Sequence, residues 1–207
     1  MAKLVLHHAN PSRSSTIRWM LEEIGAPYEV HRLNLREGDG QKPDFLALNP
    51  MGKVPVLEHG GAVISEVSAI ATYLADAFPQ AKLAPPIGDP RRGPYLKWMF
   101  FAPSCLELCI LERAFPRKEL PPRSSAGFGT VDLTLDVTDA AIAEGKPWLL
   151  GDQFTAADIV IGATVRWGTM FKLMPDRPHF ADYVKRIEAR PAFQRALALD
   201  AQEASPQ

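Results

Sequence analysis

Glu66 stands where a charged ligand end could be gripped. It follows the segment "NPMGKVPVLEHGGAVIS" (Asn49 to Ser65) and precedes Val67, Ile70, Ala71, Leu74 and Phe78, which recur at helical spacing. A carboxylate there is an acceptor. The amides of Val67 and Ser68, at the start of that helix, are donors assisted by the positive end of the helix dipole. Acceptor and donors side by side make a candidate polar binding site. The plain alternative for the same residues is a hairpin followed by a helix cap.

A second group lies in "HANPSRSST", between an apolar strand and a helix. Ser12, Ser14 and Ser15 supply hydroxyls, Asn10 an amide and Arg13 a positive charge, whereas Tyr and Cys are absent. Ser14 and Ser15 suit the cap of the following helix. The only cysteines, Cys105 and Cys109, fall four apart in "SCLELC" on one helix face, and two buried thiols are a simpler reading than redox or metal chemistry. His7 and His8 alternate across the first strand, so one is expected in the core and the other toward solvent or a partner; no further ligands at metal-binding spacing accompany them.

The elements that must hold these groups follow from periodicity. "KLVLHHA" (Lys3 to Ala9) reads as a strand, Ile17 to Ile24 as a helix stopped by Gly25, and "YEVHRLNL" (Tyr28 to Leu35) as a second strand. A βαβ unit implies parallel pairing with a right-handed crossover. "VPVLEH" and "AVISEV" flank Gly60-Gly61, a two-residue hairpin turn, which makes the sheet mixed. The order β-α-β, connector, β-β-α is thioredoxin-like, and a four-stranded α/β domain is expected over residues 1–80. "PQAKLAPPIGDPRRGP" then reads as a linker with a boundary near Leu83. An all-helical domain is expected over residues 90–207. Its clearest helix start is "FTAADI", where Thr155 and Asp158 form a capping box and Phe154 can staple onto Ile159.

Composition narrows the function classes. The chain has 207 residues, 46% of them hydrophobic, and 23 Lys plus Arg against 24 Asp plus Glu give a net charge of -1. That balance offers no electrostatic case for nucleic acid or an anionic membrane. "MAKLVLHHANPSR" lacks the apolar run of a signal peptide, no later segment suits a membrane span, and the expected location is the cytoplasm.

"SRSSTIRWMLEEIGAPYE", "LNPMGKVPVLE", "EVSAIATYLAD" and "FTAADI", in this order and along nearly the whole chain, resemble a soluble glutathione transferase of the serine type. The resemblance implies a cis peptide between Val54 and Pro55, with Val54 pairing at a sheet edge with the backbone of glutathione's cysteine. It implies that Glu66, with Val67 and Ser68, binds the γ-glutamyl end, and that Lys53 either meets the glycyl carboxylate or is an ordinary surface lysine. Members use Tyr, Ser or Cys toward the thiol, so the loop implies serine chemistry, with Ser12 assigned as catalytic ahead of Ser14, Ser15 and Asn10. Where the family usually reads Glu-Ser or Gln-Ser, this chain has Glu66-Val67, with Ser68 or Ser65 nearby to compensate. The helix carrying Tyr95, Trp98, Met99 and Ala102 lines the acceptor side of the cleft in this architecture. Glutathione is then a co-substrate, with no separate cofactor and no metal. The implied activity adds its thiolate to small hydrophobic electrophiles as a detoxifying transferase, and the implied assembly is a homodimer. The alternative is a non-catalytic relative that keeps the fold for binding or regulation, which Val67 favours.

Overall fold

Leu4, Leu6, Ile17, Met20 and Leu21 are all buried, and they fix the first two elements, strand β1 (Leu4–His8) and helix α1 (Ser14–Ile24). Gly25 ends α1 at φ 70°, its N–H donating to the Leu21 carbonyl, a left-handed stop that glycine adopts without a Cβ clash. Strand β2 (Glu29–Arg32) pairs parallel with β1, Val5 opposite Glu29 and His8 opposite Arg32. Strands β3 (Val56–His59) and β4 (Ala62–Ser65) pair antiparallel through the Gly60-Gly61 turn, both glycines at positive φ as a two-residue turn of this hand requires. The mixed sheet has the order β2-β1-β3-β4. Helix α3 (Val67–Ala77) follows, burying Ile70, Ala71, Leu74 and Ala75.

The connector between β2 and β3 holds an element the periodicity did not signal, the short helix α2 (Pro43–Leu48), preceded by two 3₁₀ turns. Six residues that fully bury only Phe45 make too short a pattern to register.

The structure is a computed structural model that describes residues 2–119 and 121–204. It divides into two compact units, one comprising the chain up to Ala81 together with the residues from Ala189 on, the other running from Lys82 to Glu188. The last helix, α9 (Pro191–Ala204), therefore groups with the sheet and not with the helical stretch expected over 90–207. Trp19 of α1 meets Phe193 of α9 edge-on at 5.1 Å. The Arg18 guanidinium donates to Asp200 (2.6 Å) and Glu203, and Arg190 donates to both oxygens of Glu23 (2.6 and 2.8 Å).

The second unit is helical. Helix α4 (Arg92–Phe101) continues through a π-helical stretch (Ala102–Leu106) into α5 (Glu107–Ala114). Pro103, which lacks an N–H, lies in that stretch, where a widened turn accommodates it. Cys105 shares the stretch, Cys109 lies buried in α5, both are free thiols, and burial pushes the Cys109 thiol up to about 11. Helices α6 (Val131–Glu144), α7 (Ala156–Met170) and α8 (Pro178–Glu188) complete the unit. Asp158 organises the start of α7, accepting from the Thr155 amide (2.9 Å), the Leu149 amide (2.8 Å) and the Tyr183 hydroxyl (2.8 Å). Among the described residues, no helix is long and apolar enough to cross a membrane.

Candidate active site

Strand register gathers three candidate segments at one end of the sheet. His7 of β1 lies opposite Val56 of β3, so Ala9, at the start of the serine loop, and Val54 leave the ladder at the same end. Val56 in turn lies opposite Ser65 of β4, so Glu66 leaves the ladder at the same end as Pro55 and Val54.

The middle segment is held by its own backbone. The Val54–Pro55 peptide is cis, and β3 begins pairing only at Val56. Because β3 runs between β1 and β4, Val54 stands at the end of a central strand, not along the outer edge that the resemblance suggested. Gly52 has φ 64°, and a Cβ there would lie 2.6 Å from the Gly40 carbonyl oxygen and 2.6 Å from Gln41 Nε2, so glycine is required. Asn49 closes the loop, its Nδ2 donating to the Lys53 carbonyl (2.8 Å) and its Oδ1 accepting from the Met51 amide (3.1 Å). The Lys53 side chain is exposed and Val54 is half-buried.

Glu66 caps α3 from an unusual backbone conformation, φ 71° and ψ 122°. A residue with a Cβ in such a region stores about 1–3 kcal/mol, a strain that clusters at binding sites. Its carbonyl accepts from the Ile70 amide (2.9 Å), so the Val67 and Ser68 amides precede the first intrahelical bond. Glu66 is exposed, Val67 half-buried and Ser68 buried, with the Ser68 carbonyl accepting from Thr72 Oγ1 (2.8 Å).

In the serine loop the hydroxyls separate by burial. Ser14 is inaccessible, whereas Ser12 is partly open. Ser12, not Ser14 or Ser15, meets the helix start: its Oγ accepts from the Ser14 amide (3.1 Å) and its carbonyl from the Ser15 amide (3.2 Å). Ser14 and Ser15 are instead the first residues of α1, because their side chains bond inward. The Ser15 hydroxyl donates to Asp200, and Ser14 Oγ lies 2.6 Å from Ser12 Oγ and 2.7 Å from His8 Nδ1. Asn10 commits its amide to the Asp200 carbonyl (2.8 Å).

Both strand histidines are buried, contrary to the expected alternation of core and solvent, since β1 is covered on both faces. His7 Nε2 lies 2.7 Å from Glu58, with its ring near His31 and Phe45. His8 turns to the other side, against Ser14, with Nε2 at 3.3 Å from Asp200 and 3.9 Å from Glu203. Burial opposes the charge of Asp200, yet its interactions with His8, Ser15 and Arg18 outweigh it and hold the carboxyl below its ordinary range. Burial likewise opposes the charge of Arg18, yet the hydrogen bonds it donates to Glu203 and Asp200 outweigh it and push its guanidinium up. No local pattern marks His8 or Asp200, which lie 192 positions apart.

The residues expected on the acceptor side behave differently. Tyr95 and Met99 are 0% exposed and Trp98 6%, with Lys97 Nζ 4.2 Å above the Trp98 ring. They form the buried face of α4 and as placed offer almost no surface to a ligand. The most exposed large hydrophobic side chain of that helix is Phe100, 54% exposed.

Comparison with known proteins identifies the family. The model of the glutathione S-transferase N-terminal domain matches residues 2–76, and that of the C-terminal domain matches residues 110–191. Glutathione S-transferase 3 of Zea mays is 30% identical over 196 residues, 86% of each chain. Glutathione S-transferase GstB of Escherichia coli (strain K12) is 29% identical over 202 residues, 92% of this chain and 95% of that one. The crystal structure of a glutathione transferase from Methylococcus capsulatus str. Bath is similar with a TM-score of 0.79 at 29% identity, covering 96% of this chain and 99% of that one. Matched by both domain models and by relatives along most of its length, this chain belongs to the glutathione S-transferase family of enzymes.

Proposed function

We propose that this chain is a serine-type transferase that joins the glutathione thiolate to small hydrophobic electrophiles. The observation that carries the reading is Ser12, a partly accessible hydroxyl at the start of α1, at the sheet end that also bears Val54 and Glu66. A free thiol ionises near about 8.5, and only its thiolate attacks well. A hydroxyl donating to the thiolate is worth roughly 1.5–3 kcal/mol, about one to two units of thiol acidity, and the helix start adds positive potential.

In this reading Val54 pairs with the cysteinyl backbone of glutathione. Glu66 takes the γ-glutamyl ammonium, the Val67 and Ser68 amides take its carboxylate, and Lys53 meets the glycyl carboxylate. With Tyr95, Trp98 and Met99 buried, an acceptor on α4 would meet Phe100 before it met them. The protein works as a cytoplasmic homodimer with a detoxifying role.

Val67 supports a second reading, a non-catalytic relative, because the hydroxyl usual at that place is missing. Titration calorimetry with glutathione, followed by turnover of an aryl halide, separates the two. Binding with turnover is the expected result. No binding at millimolar glutathione removes the transferase reading, and binding without turnover leaves the non-catalytic one.

A further inference from the structure

Behind Ser12 runs a line of two further polar atoms that the transferase reading leaves without a task. Ser12 Oγ lies 2.6 Å from Ser14 Oγ, and Ser14 Oγ lies 2.7 Å from His8 Nδ1. Only the outer member is open to solvent; Ser14 is 0% and His8 1% exposed. The Ser14 oxygen also accepts from the Ala9 amide and lies within donating distance of the Ala9 carbonyl (3.2 Å each), which fixes its position against β1, with His8 Nδ1 the nearer acceptor at 2.7 Å. Beyond the imidazole, Nε2 faces Asp200 at 3.3 Å and Glu203 at 3.9 Å, close enough for charge attraction though without an aligned hydrogen bond.

The other charges around this ring come from α1 and β2. Arg18 donates to both carboxylates, and Arg32, at the exposed rim, reaches Glu203 at 3.2 Å. In the buried interior two carboxylates face a single guanidinium, so a cationic imidazole has negative charge waiting for it.

We propose that Ser12, Ser14 and His8 form a proton wire that carries the proton of the glutathione thiol to His8 Nδ1. The inference rests on the transferase reading above and deepens it. Before transfer, His8 is neutral with its proton on Nε2 toward Asp200, Ser14 donates to Nδ1, and Ser12 donates to Ser14, so the outer oxygen of Ser12 is free to accept from the thiol. Transfer moves three protons one step each. The thiol proton passes to Ser12 Oγ, the Ser12 proton to Ser14 Oγ and the Ser14 proton to Nδ1. The S–H electron pair stays on sulfur, an N–H bond forms on the imidazole, and both serines remain neutral. The chain of donors is now reversed, so the Ser12 hydroxyl points at the thiolate and stabilises it. His8 touches no substrate and acts only through the two serines. Proton removal and thiolate stabilisation thus become one event, and a buried base takes a proton that bulk water would otherwise have to collect.

The test uses the whole protein with glutathione and with S-methylglutathione, which has no thiol proton. In the wild type, nitrogen-15 spectra of the histidine rings should show Nδ1 of His8 becoming protonated when glutathione is added and remaining unprotonated with the S-methyl analogue. The same His8 signal with both ligands overturns the wire while leaving the transferase reading intact. Failure of both ligands to bind overturns both. His8→Asn provides a second measurement, since its amide can meet Ser14 but cannot take up a proton. Turnover should fall about 10²-fold, and the ultraviolet titration of the bound thiol should move to higher pH, with glutathione affinity changed less than about twofold. A bound thiol that titrates in His8→Asn as it does in the wild type refutes the proposal.

Discussion

Ser12 and Glu66 divide the proposed work between the reacting atom and the anchor, so their variants should separate in kinetics. Ser12→Ala removes a hydroxyl that acts mainly on the thiolate. Turnover should drop and the bound thiol should titrate at higher pH, while glutathione affinity holds. If Ser14→Ala gives that pattern and Ser12→Ala does not, the assignment passes to Ser14. Glu66 carries both a ligand role and a backbone strain. Glu66→Gly relieves the φ 71° conformation and should raise unfolding stability by about 1 kcal/mol. The same change should weaken glutathione binding roughly ten- to a hundredfold through the lost charged hydrogen bond. Denaturant unfolding and calorimetry on one sample read both effects, and a variant that is no more stable and binds as tightly as the wild type contradicts the anchor.

At the level of elements, the packing of α9 on α1 depends on ionised groups. Removing one partner of a buried charge cluster costs about 3–5 kcal/mol because the remaining charges stay buried. Arg18→Ala, which strands Asp200 and Glu203, should lose that much in urea unfolding. Acid should act on the same contact. Asp200 has its folded value held below the ordinary range, so the unfolded chain takes up the proton first. The contribution is complete above the unfolded carboxylate value of about 3.9 and is lost as pH falls through the folded one. The urea midpoint should therefore decline below about pH 4, and Asp200→Asn should flatten the decline. At α7, Thr155→Ala removes the cap residue and should cost about 1 kcal/mol, measured the same way.

For the whole molecule, the exposed apolar side chains concern assembly. Helix α3 spends Ile70, Ala71 and Leu74 on the core. Of "WMFF" in α4, Trp98 and Met99 are buried and Phe100 is exposed. Further along, Leu108, Leu111 and Phe115 are 41%, 54% and 73% exposed, more apolar surface than one short helix and its end ordinarily leave to water. A homodimer is expected, and sedimentation at micromolar concentration should give about twice the 22.8 kDa chain mass. A single species at the monomer mass contradicts it.

Local pattern was enough for much of this architecture. Gly60-Gly61 specified a hairpin because both positions need positive φ, and Thr155 with Asp158 specified a helix start because the box satisfies amides within four residues. The apolar spacing of α1 and α3 and the serines of the loop were legible for the same reason, since each signal is complete within one turn or one strand. Helix α2 was not, being shorter than the period that would reveal it. Nor could sequence show which serine is open and uncommitted, because that depends on what meets the loop: Ser14 is closed by β1, and the Ser15 hydroxyl is held by a carboxylate 185 positions away. His8 and Asp200 met only through the placing of α9 on the sheet unit, and the burial of Tyr95 and Met99 followed from which face of α4 turned inward. A chain encodes its neighbours by period and cap, but contacts between distant charges exist only once the elements have packed.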